Sequence, residues 1–211
     1  MARKSRKSGH GRASPQQQSH AWSFDPYAFI EHTYDLSTKL LAFGELLRYA
    51  GQFKDISELW LDGGASQARK DQFTSYVANN KIDERIDEAI KQLDAWLKYD
   101  KDEVKAFTTY QWDARGVSSY ASPQKQVEDT FKYITELRAT LAELKSDFAD
   151  VRGGRYADLE DKVSDLMPKL QKAIKSTQDA SYALYYLAMA RYYYDYYSKP
   201  VFGGIKSALR S

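Results

Sequence analysis

Apolar residues recur along this chain at intervals of three and four, the spacing that puts them on one face of a helix. Between Ser122 and Val151 the pattern is strongest. Val127, Phe131, Ile134, Leu137, Leu141, Leu144, Phe148 and Val151 follow one another at steps of 4, 3, 3, 4, 3, 4 and 3. That is a seam of nearly heptad period, about 45 Å long at 1.5 Å per residue. Ser122 is a natural N-cap and Pro123 a natural first helical residue, and Gly153-Gly154 lets the chain reverse. The return stretch carries Leu159, Val163, Leu166, Leu170, Ile174, Ala180, Leu184 and Leu187 on one stripe, with Pro168 inside it. A proline there should kink the helix or divide it in two.

Earlier, Asp25-Pro26 opens a long helix to Ala50 that carries Phe29, Ile30, Tyr34, Leu36, Leu40, Leu41, Phe43, Leu47 and Tyr49, stopped by Gly51. Gly44 in its interior weakens the helix or permits close approach of another backbone. A short helix is predicted over Asp55–Leu61, ended by Gly63-Gly64, and another over Ser66–Val77. Asn79-Asn80 is read as a break before the amphipathic run Ile82, Ile86, Ala89, Ile90, Leu93, Trp96, Leu97. Residues 100–121 read as a short helix followed by a loop. No strand alternation, hairpin dipeptide or solenoid repeat is present. The pattern predicts an all-α chain: a helical bundle built on the long antiparallel pair 123–152 and 155–198, with a long N-terminal helix ahead of it.

Past Ala180 the return helix becomes YALYYLAMARYYYDYY, apolar or aromatic nearly all round. Such a helix needs partners on every side, so it is either the centre of the bundle or a contact with neighbouring chains. Tyr185, Tyr186, Tyr192, Tyr193, Tyr194, Tyr196 and Tyr197 have only Arg191 and Lys199 as nearby cations. That favours packing over base stacking. Tyrosine, with an apolar ring and a polar tip, suits a wet subunit interface.

Residues 1–20, MARKSRKSGHGRASPQQQSH, have no apolar periodicity and read as disordered when alone. Arg3, Lys4, Arg6, Lys7 and Arg12 lie there without a single Asp or Glu. The chain holds 31 basic and 29 acidic residues; without those five, 26 remain against 29, so the body is mildly acidic, near −3. A cationic arm on a nearly neutral body suggests binding to a polyanion, most simply a nucleic-acid backbone. Lys39 and Arg48, nine apart on the first helix and approximately on one face, extend that contact. The chain therefore divides into a basic arm (1–22), an all-α assembly domain (23–200) and a short tail (201–211). The tail carries Lys206 and Arg210 and is a candidate for contact with a lipid envelope.

Chemistry beyond this is sparse. The basic run is followed by Ser, Pro and Gln instead of an apolar segment, so it is no secretory signal, and no run of 18 apolar residues exists. There is no Cys, which excludes disulfides and Cys-based zinc sites and suits a hot environment. His10 and His20 lie in the arm. His32 has Glu31 and Asp35 nearby but no second histidine in helical register, which reads as a packed side chain and not a metal ligand. No GxxxxGK[ST], GxGxxG or GxSxG occurs, and Gly153-Gly154-Arg155 joins two helices without the strand a phosphate loop needs. Acid runs such as Asp83-Glu84 and Asp158, Glu160, Asp161 read as solvated helix faces. Neither a catalytic site, a metal nor a cofactor is expected.

The arm MARKSRKSGHGRASPQQQ, the helix from Asp25 to Ala50 and the Cys-free, tyrosine-rich C-terminal helix together resemble the major coat proteins of filamentous archaeal viruses, the lipothrixvirus and rudivirus group. The length is nearer the enveloped lipothrixvirus branch. The resemblance implies a capsid protein that wraps linear double-stranded DNA, held in A-form, through sequence-independent phosphate contacts from Arg3, Lys4, Arg6, Lys7 and Arg12. It also implies a helical filamentous virion, assembled in the host cytoplasm, in which this chain pairs with copies of itself and with a paralogous second coat protein as a heterodimer. Two other classes fit the same residues: a cellular architectural DNA- or RNA-binding helical protein, and a helical adaptor with a basic targeting tail.

Overall fold

The computed structural model describes residues 22–57, 66–113, 122–154 and 159–193. Among these residues the chain is all-α, as the patterns predict, with six helices: α1 (Pro26–Ala50), α2 (Gln67–Asn80), α3 (Ile82–Trp96), α4 (Lys101–Asp113), α5 (Pro123–Arg152) and α6 (Leu159–Tyr193). Their starts follow from local chemistry. The Asp25 carboxylate accepts from the Tyr27 N–H ahead of Pro26, and the Ser122 hydroxyl accepts from the Lys125 N–H ahead of Pro123, each satisfying one orphan donor of a first turn. Ser66 caps α2 in the same way through the Arg69 N–H.

The helices α1, α6, α5 and α3 follow one another around a shared core, each in contact with the next. Ser181 Oγ donates to the Ser37 carbonyl at 2.8 Å, Tyr34 meets Tyr185, and Gly51 lies beside Ile174, so α1 and α6 run antiparallel. Gln126 bonds the Ala183 carbonyl near one end of α5 and Lys169 pairs with Asp147 near the other, so α6 is antiparallel to α5 as well. The seam on α5 is buried at every position except Phe131, which packs against Trp96 from the edge of the core. Ser37, Gly44 and Gly51 place a small residue every seventh position along the side of α1 that meets α6. What enters at Gly44 is a side chain, the Thr177 methyl, which a β-carbon there would meet at 3.2 Å.

An aromatic cluster closes one end of the core. Phe29, Tyr99 and Phe107 surround Phe24, and Trp22 stands edge-on to Phe107 at 5.5 Å between ring centres. Trp96 Nε1 donates to Thr33 Oγ1 at 3.0 Å, and that hydroxyl donates to the Phe29 carbonyl at 2.7 Å, all three groups inside the core.

Several expectations change. The helix expected over Asp55–Leu61 is instead a 3-10 turn over Gly51–Ile56 that tightens the exit from α1, with Phe53 and Ile56 turned inward at the three-residue spacing of that geometry; residues 58–61 lie outside the described set. α2 runs through Asn79 and Asn80, and the break falls on Lys81, in the left-handed conformation at φ 47°. Its N–H satisfies the last carbonyls of α2 while its own carbonyl starts α3. Pro168 does not divide α6, which is continuous. Pro168 and Ser164, whose carbonyl loses its helical donor, both lie on the outer face, where solvent reaches the freed oxygen. Asp83 is not on a solvated face: it is 7 % exposed, and its Oδ2 lies 3.0 Å from Arg152 Nη2.

Candidate nucleic-acid and assembly interface

Arg3, Lys4, Arg6, Lys7 and Arg12 lie outside the described residues. The point where the chain leaves them is well defined. Trp22 and Phe24 insert into the aromatic cluster, and between them Ser23 gives both its N–H and its hydroxyl to the Glu103 carboxylate of α4. Residues 22–24 thus fasten the arm to α1 and α4 together, at the end of the body where α1 begins.

The cations of α5 are all committed within the chain, whereas Lys91, Lys98, Lys101, Lys172 and Lys175 elsewhere on the body are exposed without an ion pair among the described residues. All five basic residues of α5 sit in ion pairs: Lys125 with Asp129, Lys132 with Glu136, Arg138 with Asp94, Lys145 with Asp87, and Arg152 with Asp83 and Glu84. Arg138, Lys145 and Arg152 recur every seven residues and meet four carboxylates of antiparallel α3, a ladder that ties the two helices. Hydrogen bonding to Arg138 holds the Asp94 carboxyl below the usual range, and Arg152 does the same for Glu84. Elsewhere Arg69 chelates Asp55 and covers the Phe53 ring at 4.3 Å, Lys70 pairs with Glu160, Lys105 with Glu128, and Lys169 with Asp147.

Lys39 and Arg48 do not share a face. Nine residues make two and a half helical turns, so the two side chains point to opposite sides of α1. Lys39 pairs with Asp35 at 2.7 Å and borders a groove of about 320 Å³ between α1 and α3, floored by Leu40, Phe43 and Ala89 with Arg85 and Glu88 at its rim. Arg48 pairs with Glu45 at 2.6 Å on the other side. Arg85 Nε donates to the Asn80 carbonyl, so both cations of the groove are engaged within the chain.

Of the tyrosines predicted to face other subunits, Tyr185 and Tyr186 are exposed, at 39 % and 63 %, on the outer side of α6, while Ala183, Leu184, Leu187 and Ala188 fill the core on its inner side. The helix is therefore both central and outward-facing. Tyr192 and Tyr193 belong to its last turn with side chains outside the described set, and Tyr194, Tyr196 and Tyr197 lie outside the described residues. Sequence reading assigned Tyr34, Leu41 and Tyr49 to the apolar stripe of α1, yet each is more than half exposed, as is Tyr27. The strict sevenfold spacing of 27, 34 and 41, one position off the buried stripe, was the available signal. Tyr34 reaches across to Tyr185, 6.4 Å between ring centres, so the exposed rings of the two helices form one surface.

His32 is half-buried, with Nδ1 3.2 Å from the Tyr99 hydroxyl; burial pushes its pKa down, with Asp35 acting against that shift and Lys39 adding to it. Among the described residues no group of three or more His, Asp or Glu side chains could hold a metal ion, and no helix is long and apolar enough to cross a membrane. Comparison with protein-family models, with curated proteins and with solved structures finds no match to the chain.

Proposed function

We propose that this chain is a structural coat protein that packages linear duplex DNA in a helical filament, its basic arm neutralising phosphates and its tyrosine-bearing helices joining subunits in a bundle built on α5 and α6. The observation that carries the reading is the partition of charge. Cations along α5 are consumed by carboxylates of their own chain, whereas Arg3, Lys4, Arg6, Lys7 and Arg12 have no acidic residue within their segment. Contacts made by such an arm go to phosphates and sugars and are indifferent to base sequence. Nothing here resembles a recognition helix free to enter a groove. A single arm binds weakly; arms displayed at regular intervals by an assembled body bind strongly through effective concentration.

Electron microscopy of the purified chain with linear duplex DNA tests the proposal. Regular filaments of constant diameter support it, and discrete small complexes instead support a cellular architectural protein. Removal of residues 1–20 is expected to abolish packaging while circular dichroism stays that of a folded helical chain. With five phosphate contacts, log K for the intact chain should fall with log salt at a slope of about −4.5 per arm. A truncated chain that still forms filaments on DNA refutes the role given to the arm.

A further inference from the structure

We infer that the exposed face shared by α1 and α6 is a twofold contact between two copies of this chain, in which α1 of one copy lies on α6 of the other. This inference rests on the self-assembly part of the proposed function and adds the surface, the partner and the orientation.

Among the described residues every large hydrophobic side chain with high exposure lies on these two helices: Tyr27, Tyr34, Leu41 and Tyr49 on α1, and Tyr182, Tyr185 and Tyr186 on α6. A tyrosine carries roughly 150–250 Å² and about half of it is open at most of these positions, so six of them around the α1–α6 groove expose about 500–600 Å². That is at the upper end of the largest apolar patch of an ordinary monomer, a size at which such patches are often functional. With the polar rim added it approaches the ~800 Å² per partner of a stable interface.

The choice of a second copy follows from charge and level. α1 and α6 are antiparallel and matched in height: Tyr34 stands beside Tyr185, Ser37 beside Ser181, and Gly44 beside Thr177. A twofold axis along the groove, lying in the plane of contact, sets α1 of one copy against α6 of its partner, antiparallel and at those same heights. Tyrosine then meets tyrosine near Tyr34 and Tyr185, an arrangement in which rings stack and hydroxyls keep water or each other. Two residues beyond Thr177 on α6 is Lys175, exposed and without a carboxylate partner among the described residues; one residue beyond Gly44 on α1 is Glu45, also exposed and paired within its own helix with Arg48. The same axis brings Lys175 of each copy to Glu45 of the other, twice per pair. A nucleic acid would find a poorer match here, since on α1 the carboxylates Glu31, Asp35 and Glu45 outnumber the cations Lys39 and Arg48, both already engaged by them.

Sedimentation velocity of the full chain, without DNA and at fixed ionic strength, tests this with a charge swap. Glu45→Lys and Lys175→Glu should each weaken self-association at least tenfold by placing like charges together twice per pair. The double substitution should restore it to within about threefold of the original, because both contacts return with reversed sign. Tyr186→Ser should weaken association at least tenfold with unchanged helicity, as loss of a central interface ring does. A chain that stays monomeric to about 100 μM overturns the inference. So does a double variant no better than either single one, and so do single variants that change duplex affinity while leaving association untouched. Association that obeys the swap but yields no filament on DNA removes the coat reading and keeps this surface; filaments indifferent to all these substitutions do the reverse.

Discussion

Replacing Thr33 by valine tests whether the aromatic cluster that seats the arm is held by a specific polar contact or by apolar packing alone. Thr33 and Trp96 are both fully buried, and the indole N–H has the Thr33 hydroxyl as its acceptor at 3.0 Å. Valine has nearly the same volume and shape, so no cavity opens and the transfer contribution hardly changes. The Phe29 carbonyl loses the Thr33 hydroxyl, but within α1 it still accepts the backbone N–H of residue 33, so that loss is minor. The Trp96 N–H has no such reserve. A buried donor left without an acceptor costs about 1–3 kcal/mol, and full burial argues for the middle of that range, about 2 kcal/mol. Trp96→Phe removes the donor itself and leaves a gap instead, also at about 2 kcal/mol. Once the donor is gone, Thr33→Val should add little, so the double variant should fall short of the summed single effects by about 1–2 kcal/mol. Urea unfolding followed by circular dichroism gives these differences directly, with an unchanged slope showing that the unfolded state is not altered. A cost for Thr33→Val below about 0.5 kcal/mol, or strict additivity in the double variant, refutes the claim that this hydrogen bond is needed to satisfy the indole.

Two glycines on α1 should respond with opposite signs to alanine. At Gly51 a new β-carbon would rest 3.6 Å from Ile174 Cδ1 at an ordinary φ of −66°, so Gly51→Ala should stabilise by about 0.5–1 kcal/mol. At Gly44 it would crowd the Thr177 methyl at 3.2 Å, and that rotamer is fixed by the 2.7 Å bond from Thr177 Oγ1 to the Ala173 carbonyl. Gly44→Ala should therefore lose stability by about 1 kcal/mol despite the better helix former, the two melting points parting by about 4–8 °C; melting points that move together would refute this. His32, held below its ordinary pKa by burial in the fold, takes up a proton more readily in the unfolded chain. Stability is then full above a pH of about 6.5 and declines as pH falls below it, until the folded His32 also protonates. His32→Gln should flatten the slope of unfolding free energy between about pH 5 and 7, and an unchanged slope would show that the group is not the cause. Asp55 and Asp94, depressed by Arg69 and Arg138, lose their contribution only below about pH 4, outside that window.

What the sequence made legible was whatever one helix dictates to itself. The seam on α5 and the caps at Asp25 and Ser122 depend on spacing and local donors, and all are present. Errors arose where a second helix decides. Asp83 looks solvated in its own helix, since its neighbours are charged, but Arg152 from α5 draws it inside. Tyr34 and Leu41 look like core in their own stripe, but α6 covers the side of Ser37 and Gly44 and leaves them outward. The break read at Asn79-Asn80 falls instead on Lys81, a boundary shift that propensity could not fix, because asparagine is the residue more often found in the left-handed conformation. The division of α6 allowed for at Pro168 does not occur, because a proline whose freed carbonyl faces solvent can stay within a continuous helix.

The two chemistries assigned to this chain meet at one end of its body. α1 begins where the arm is clamped by Ser23 on Glu103, and because α6 is antiparallel to α1, its tyrosine-rich last turns reach that same end. The described chain thus hands over to the basic arm, at Trp22, at one end of the face inferred to pair. Two copies paired through α1 and α6 would bring the ten positive charges of their arms to one end of the pair, a repulsion that weakens the pairing and that a bound polyanion relieves. A polyphosphate backbone supplies that neutralisation along its whole length. Binding of the polymer and pairing of the copies are then linked, and by reciprocity each strengthens the other. The carboxylate ladder between α3 and α5 acts in the same direction, since it commits Arg138, Lys145 and Arg152 to carboxylates of their own chain.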